Sequence, residues 1–98
     1  MEMTVEQLKA RLDAGETTAL LDCREPLEWQ FSRIDGAVHI PMRQAPDRLD
    51  ELPRDRPIVV YCHHGIRSLS VAAYLREQGF EPVWSLAGGI DAWAAEVD

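Results

Sequence analysis

The chain has 98 residues, of which 46% are hydrophobic and 28% charged, and its formal net charge is −7. This size and balance predict a single globular domain over residues 1–98 and disfavour a disordered chain. No apolar run approaches the roughly 18–20 residues of a membrane span, and the acidic total argues against a nucleic-acid or membrane partner.

The N-terminal segment predicts a helix that precedes the first buried strand. Residues 1–3 could add a short edge strand, which the pattern leaves open. Thr4 and Gln7 have the spacing of a capping box, apolar residues follow at helical intervals, and Gly15 ends the helix. Residues 19–23 then form a short apolar run, which predicts a buried strand.

The next segment predicts two short helices separated by a strand. Pro26 suits the first turn of a helix, in which Leu27 and Phe31 are spaced i, i+4. Residues 37–40 predict a second strand, and residues 46–52 predict a short polar helix.

The second half predicts a strand, a helix, a further strand and a last helix. Residues 57–61 are continuous, β-branched and aromatic, as in a strand buried on both faces. A helix over 69–78, a strand over 83–86 and a helix after Gly88 and Gly89 complete the pattern. Because strands alternate with helices, we expect an α/β fold with a mostly parallel sheet of four or five strands, covered by helices on both faces. Sites in such folds lie at the carboxyl ends of strands.

One of these strand-to-helix junctions carries the most reactive residue type of the chain. Cys62 directly follows the predicted strand, and a thiol at a helix N-terminus meets unpaired N–H groups that favour the thiolate and lower its pKa. Gly65 permits backbone angles that let successive N–H groups form an anion-binding nest. Arg67 adds a cation, and the Ser68 hydroxyl suits a helix cap. These residues predict a cup of hydrogen-bond donors around a nucleophilic sulfur.

Charge is unevenly distributed along the chain. Residues 40–76 hold six arginines and four acids, whereas the rest holds four cations and thirteen acids. A locally positive segment in an acidic protein suits a small anion better than a polyanion. A helix with mixed surface charge explains the same numbers equally well.

The run Cys62-His63-His64-Gly65-Ile66-Arg67-Ser68 resembles the active-site loop of single-domain rhodaneses, a family of sulfurtransferases. Three further blocks resemble family signatures in the same order: residues 21–24 (Asp-x-Arg), 34–41 (I-x-G-A-x-x-I-P) and 86–93 (L-x-G-G-x-x-A-W). One departure is that Ser32 and Arg33 stand where the family usually has Gly-His, in a turn away from the thiol.

This resemblance implies a rhodanese-like fold and a thiosulfate sulfurtransferase that needs no metal or organic cofactor. Cys62 would be the catalytic nucleophile that attacks the outer sulfur of a small anionic donor such as thiosulfate, and the resulting persulfide would pass its sulfur to cyanide or a thiol. A protein sulfur acceptor is a further candidate partner. The implied substrate-binding residues are those of the loop, His63, His64, Gly65, Ile66, Arg67 and Ser68.

Cysteine-dependent phosphatases are one rival, because they use a similar strand, loop and helix. Their loop is Cys-x5-Arg, whereas only four residues separate Cys62 from Arg67 here. A shorter loop should form a tighter cup, which favours a single sulfur atom over a tetrahedral phosphate. A non-catalytic binding or sulfur-carrier module is another alternative, although such modules usually lack the cysteine.

A zinc site is the third alternative. Zinc takes four ligands, and adjacent His63 and His64 cannot easily bind one ion together, while only Cys23 and His39 remain as further donors. We expect the two histidines to shape the mouth of the loop, where a protonated ring would add positive charge. An ordinary place on the loop surface explains them equally well.

The second cysteine, Cys23, ends a strand that neighbours the Cys62 strand in the resembling fold. We expect a buried structural residue, with a resolving thiol as the alternative. Two cysteines are too few for a disulfide scaffold, and the N-terminus lacks the features of a signal peptide. We therefore expect a cytoplasmic protein with reduced thiols.

Overall fold

A computed structural model describes residues 1–97 as one five-stranded, wholly parallel sheet flanked by helices. The strands are β1 (Glu2–Met3), β2 (Ala19–Asp22), β3 (Val38–His39), β4 (Ile58–Tyr61) and β5 (Val83–Leu86). The α-helices are α1 (Val5–Asp13), α2 (Pro26–Phe31), α3 (Ile66–Glu77) and α4 (Gly89–Glu96). The α/β class and the helices on both faces are confirmed. None of the helices within residues 1–97 is long and apolar enough to cross a lipid bilayer.

The sheet has the strand order β1-β5-β4-β2-β3, so β4 lies at its centre. Every residue of β4 is buried, as its continuous β-branched and aromatic run predicts. The edge strand that the sequence left open is present, because Met3 lies opposite Leu86 in a parallel pairing with β5. The carboxyl ends of β2, β4 and β5 therefore lie side by side at one edge of the sheet.

Alternating side chains of β4 belong to two separate apolar clusters, one on each face of the sheet. Ile58 and Val60 pack in a cluster with Leu75 and other residues of α3. Val59 and Tyr61 pack in the other, which includes residues of α1 and α4. This division follows from the period-2 geometry of a strand.

Local signals set the ends of the helices. The capping box of Thr4 and Gln7 begins α1, with the Thr4 hydroxyl accepting from the Gln7 N–H at 3.1 Å. The predicted polar helix over 46–52 is wrong in type and in its beginning. Two 3₁₀ helices cover this segment, Met42–Asp47 and Leu49–Glu51. Pro46 removes one backbone donor and Arg48 interrupts the helical backbone, so no regular α-helix forms.

Candidate active site

The loop between β4 and α3 is shaped by Gly65, which is the N-cap of α3 with a φ of 104°. The left-handed φ favours glycine, and the space is tight as well, because a Cβ at this position would lie 3.2 Å from the Gly88 nitrogen and from the Leu86 carbonyl oxygen. The expectation that Ser68 caps the helix is wrong. Ser68 is the third residue of α3, inside its first turn, and is fully buried, while Gly65 occupies the N-cap position.

The Cys62 sulfur lies at the start of this helix and accepts hydrogen bonds from its N–H groups. The Gly65 N–H donates to Sγ at 3.1 Å and the Ser68 N–H at 3.4 Å, while the Ser68 Oγ lies 3.4 Å from the sulfur. Cys62 is only 1% exposed. Burial by itself raises the pKa of the Cys62 thiol, but the hydrogen bonds from Ser68 and Gly65 outweigh it and leave the pKa below its ordinary value. The sulfur thus accepts hydrogen bonds from N–H groups at the start of α3, and these bonds favour the thiolate more than the surroundings of an ordinary cysteine do.

A second hydroxyl supports the Ser68 side chain from the neighbouring strand. The Ser68 and Ser85 Oγ atoms lie 2.7 Å apart, and both residues have no exposed surface. When Ser68 donates its proton to a Cys62 thiolate, Ser85 can donate to the Ser68 oxygen. The two serines thereby form a short chain of hydrogen bonds that ends on the sulfur.

The first turn of α4 holds the loop from its other side. The Ile90 N–H donates to the Cys62 carbonyl at 2.9 Å, and the Asp91 N–H donates to the His63 carbonyl at 3.1 Å. A Cβ at Gly89 would collide with both of these carbonyl oxygens, so the helix approaches the loop as closely as backbone allows. The carbonyl groups of the loop thus bond to α4, whereas the Gly65 and Ser68 N–H groups point to the Cys62 sulfur.

Arg67 does not project into the cup as an unpaired cation. Its guanidinium makes two hydrogen bonds to the Glu28 carboxylate of α2, at 2.7 and 2.9 Å. The Arg67 guanidinium holds the pKa of Glu28 at about 2, and the same pair raises the pKa of Arg67. The loop thus contains an ion pair where the sequence alone suggested a free positive charge.

The two histidines lie at the mouth of the loop and are exposed. Their rings stack with centroids 4.1 Å apart. Asp91 faces both, with one carboxylate oxygen 3.9 Å from His63 Nε2 and the other 3.9 Å from His64 Nδ1. Within residues 1–97, no group of three or more His, Cys, Asp or Glu side chains could hold a metal ion.

An open groove of about 460 Å³ runs beside the loop, with His63, Glu28 and Asp91 among the residues that line it. Its apolar rim includes Leu27 and Phe31, which are 80% and 90% exposed. The i, i+4 pair of α2 therefore faces solvent and does not pack in the core. Ile66, the first residue of α3, is 78% exposed as well.

Cys23 is buried on the strand next to Cys62, and its thiol donates to the Tyr61 carbonyl at 3.5 Å. Burial raises the pKa of Cys23 to about 12, so this thiol stays protonated. Nearby, Arg24 binds the Asp22 carboxylate in a buried ion pair, at 2.7 Å. Both cysteines are free thiols.

Sequence reasoning missed three contributors to the site, namely Glu28, Ser85 and the N–H groups that open α4. Glu28 contacts a residue 39 positions away, and no local pattern indicates such a pairing. Ser85 is a polar residue within a buried strand. Since buried hydroxyl groups are hydrogen-bonded, the sequence could have indicated that Ser85 has a partner, although not which one. The Gly88-Gly89 pair was visible as a helix start but gave no sign of contact with Cys62.

Comparisons with known proteins agree on one family. The family model described as rhodanese-like domain matches residues 4–96. A sulfurtransferase of Allochromatium vinosum is 43% identical over 93 residues, which cover 95% of this chain and 87% of that protein. The thiosulfate sulfurtransferase GlpE of Actinobacillus succinogenes is 40% identical over 78 residues, covering 80% of this chain and 70% of that protein. The crystal structure of a rhodanese-related protein from Thermoplasma volcanium superposes with a TM-score of 0.88 at 29% identity, covering 98% of this chain and 92% of that one.

Proposed function

The chain belongs to the family of rhodanese-like domains, and we propose that it is a sulfurtransferase that carries a sulfane sulfur as a persulfide on Cys62. In this proposal a donor such as thiosulfate supplies the sulfur, and cyanide or a thiol removes it. The residues of the loop from His63 to Ser68 bind the substrate, mainly through their backbone.

The observation that supports this proposal is the set of donors around one sulfur atom. The Gly65 and Ser68 N–H groups and the Ser68 hydroxyl surround Cys62 Sγ within 3.1–3.4 Å. These groups stabilise a thiolate, which is the form that attacks sulfur. We expect the same donors to stabilise the negative charge of a persulfide as well, because its outer sulfur lies only one bond beyond Sγ.

The reaction balances as two displacements at sulfur. The Cys62 thiolate attacks the outer sulfur of thiosulfate, a new S–S bond forms, and the donor's S–S bond breaks to release sulfite with its electron pair. Cyanide then attacks the outer persulfide sulfur and leaves as thiocyanate, which returns Cys62 to the thiolate. Neither step needs an external oxidant or reductant.

The depth of the sulfur favours this chemistry over phosphate transfer. With Cys62 only 1% exposed, the outer sulfur of thiosulfate, which is a terminal atom, reaches Sγ more readily than the central phosphorus atom of a phosphoryl group does. The four-residue spacing to Arg67 and the binding of that arginine by Glu28 also leave no free guanidinium to clamp a phosphate.

The acceptor extends the proposal to a larger partner. Leu27 and Phe31 form an exposed apolar rim on the groove that adjoins His63. An apolar thiol, or a thiol on a protein segment, would gain contact area there that cyanide cannot use. Cyanide is thus the simplest acceptor for an assay, and a thiol is the acceptor that this rim suits.

The direct test is the intact mass of the protein after incubation with thiosulfate. We expect a gain of one sulfur atom that peptide mapping places on Cys62 and that cyanide removes. Cys62→Ser should gain none, whereas Cys23→Ser, which removes the other thiol of the chain, should gain sulfur as the wild type does.

Three results would contradict the proposal. Wild-type protein that gains no sulfur from thiosulfate or from an organic persulfide is not a persulfide enzyme. Sulfur that appears on Cys23 while Cys62 stays unmodified would show that Cys23, and not Cys62, is the nucleophile. Hydrolysis of an aryl phosphate by the wild type, lost in Cys62→Ser, would favour the phosphatase reading.

A further inference from the structure

The pairing of Arg67 with Glu28 bears on which sulfur donors the site accepts. Both side chains are partly buried, 35% and 29% exposed, and their two short hydrogen bonds are in the fork geometry that Arg and carboxylate prefer. Arg67 is the only arginine or lysine in the loop over residues 62–68. Its charge is therefore the largest fixed attraction that the loop could offer to an anion.

Glu28 is itself held in place, so the pair is more than two surface side chains that happen to meet. Its Oε1 atom accepts the Glu25 N–H at 3.0 Å, which anchors the carboxylate at the start of α2. The same oxygen accepts from Arg67 at 2.7 Å. The guanidinium is drawn toward α2 by a fixed partner.

The other charged groups around the sulfur include a buried ion pair and the Asp91 carboxylate, whose charge the two histidine rings offset only when they are protonated. Asp22 and Arg24 form a buried pair, with side chains 0% and 4% exposed. Asp91 faces the two histidine rings. With Arg67 paired, the attraction that the loop offers an anion comes chiefly from backbone N–H dipoles, and the loop lacks the full positive charge that would attract a dianion more strongly than a monoanion.

We propose that Glu28 is a specificity-determining residue that cancels the Arg67 charge and thereby biases the Cys62 site against dianionic donors and toward donors of lower charge, such as alkyl persulfides. This inference rests on the proposed sulfur transfer. With an alkyl persulfide, the Cys62 thiolate attacks the terminal sulfur, the donor's S–S bond breaks, and the alkyl thiolate leaves with the electron pair. The proton of the terminal sulfur stays on the new persulfide, so the step balances without a redox partner.

Glu28→Gln tests this inference, because it keeps a hydrogen-bonding group of the same shape and removes the charge. The quantity measured is the rate of Cys62 persulfidation by thiosulfate, a dianion, divided by the rate with a small alkyl persulfide that has no other ionisable group and so carries at most one negative charge. We expect this ratio to rise roughly tenfold, the size of effect that one uncompensated charge has on a dianion near a protein surface. The increase should shrink at high ionic strength.

Two variants separate charge from structural damage. Glu51→Gln removes the same charge from another bidentate pair, with Arg48 at 2.7 and 2.8 Å, that does not include a residue of the Cys62 loop, and it should leave the ratio unchanged. The double variant Glu28→Gln/Arg67→Gln removes both charges and should return the ratio to the wild-type value. A ratio that stays high in the double variant would show that altered packing, not charge, is responsible, and would overturn the inference.

A second readout does not depend on sulfur transfer. Alkylation of Cys62 by iodoacetate, which is an anion, and by iodoacetamide, which is neutral and similar in size, reports the local potential directly. Glu28→Gln should raise the iodoacetate-to-iodoacetamide rate ratio at the Cys62 peptide severalfold. If the alkylation ratio rises in Glu28→Gln but neither protein gains sulfur, the proposed function is wrong and the inference about charge stands. If the wild type gains sulfur but neither the alkylation ratio nor the persulfidation ratio changes in Glu28→Gln, only the inference about charge is wrong.

Discussion

Replacing Ser68 with alanine should separate the reactivity of Cys62 from the stability of the fold. The change removes the hydroxyl that lies 3.4 Å from Cys62 Sγ and 2.7 Å from the Ser85 hydroxyl. It leaves the Ser68 N–H in place, because that group belongs to the backbone of α3. Two effects follow, one on the thiolate and one on the buried serine left behind.

The size of each effect follows from the hydrogen bond that is lost. A hydrogen bond to a charged group contributes about 1.5–3 kcal/mol, and the long S···O distance places this one at the lower end. Since every 1.4 kcal/mol is about tenfold in an equilibrium constant, the acid dissociation constant of Cys62 should fall about tenfold and its pKa should rise. Ser85 is left without its hydroxyl partner at a position with no exposed surface, which should cost about 1–3 kcal/mol of unfolding free energy.

The assay is a pH titration of the ultraviolet absorbance of the thiolate, corrected with Cys62→Ser, together with urea unfolding. Ser70→Ala is the matched control, because Ser70 is exposed on the same helix and should change neither quantity. In the double variant Ser68→Ala/Ser85→Ala, stability should partly recover while the titration stays shifted to higher pH. A thiolate titration in Ser68→Ala that coincides with the wild type would refute the role assigned to the hydroxyl.

Two further predictions concern stability. Gly89→Ala should lower the denaturant midpoint more than Gly15→Ala does. Both positions have left-handed φ angles that cost an L residue roughly 1–2 kcal/mol, but only a Cβ at Gly89 also collides with the Cys62 carbonyl oxygen. Equal losses of stability in the two variants would contradict that contact. The Arg67 pairing depresses the pKa of Glu28 to about 2, below its ordinary value of about 4.3, so the carboxylate stabilises the fold above about pH 4 and this contribution is lost as the pH falls toward 2. Urea unfolding should therefore show the wild type to be more stable than Glu28→Gln at neutral pH and equally stable near pH 2. If the difference in unfolding free energy between the two proteins does not change with pH, the ion pair is not its cause.

The fold could be predicted from the sequence because its elements have strong local signals. The continuous β-branched run of β4, the capping box at Thr4 and the glycines after α1 and α3 each act over a few residues. The segment over 42–51 could not be predicted in type. Over so few residues, the apolar spacing of a 3₁₀ helix cannot be told from that of an α-helix. Pro46 is compatible with a helix start in the sequence, but it lies inside the 3₁₀ helix in the structure.

The candidate site was predictable in its centre and not in its surroundings. A cysteine, a glycine and a helix start within four residues define the cup around the sulfur, and those residues are neighbours in sequence. The partner of Arg67 comes from α2, which the sheet order brings close to the loop only after β2 and β4 have paired. The orientation of a long charged side chain depends on such distant partners, so a free cation and a neutralised one look alike in sequence.

The contact between α4 and the Cys62 loop also makes the sulfur a reporter of folding. The loop carbonyls reach their donors only when Ile90 and Asp91 are in place, nearly thirty residues farther along the chain. A partly made or partly unfolded molecule therefore has the same cysteine with the reactivity of an ordinary thiol. Under the proposed function, Cys62 captures sulfur only after the sheet and its last helix have assembled, and the rate of Cys62 labelling measures how much of a preparation has reached that state.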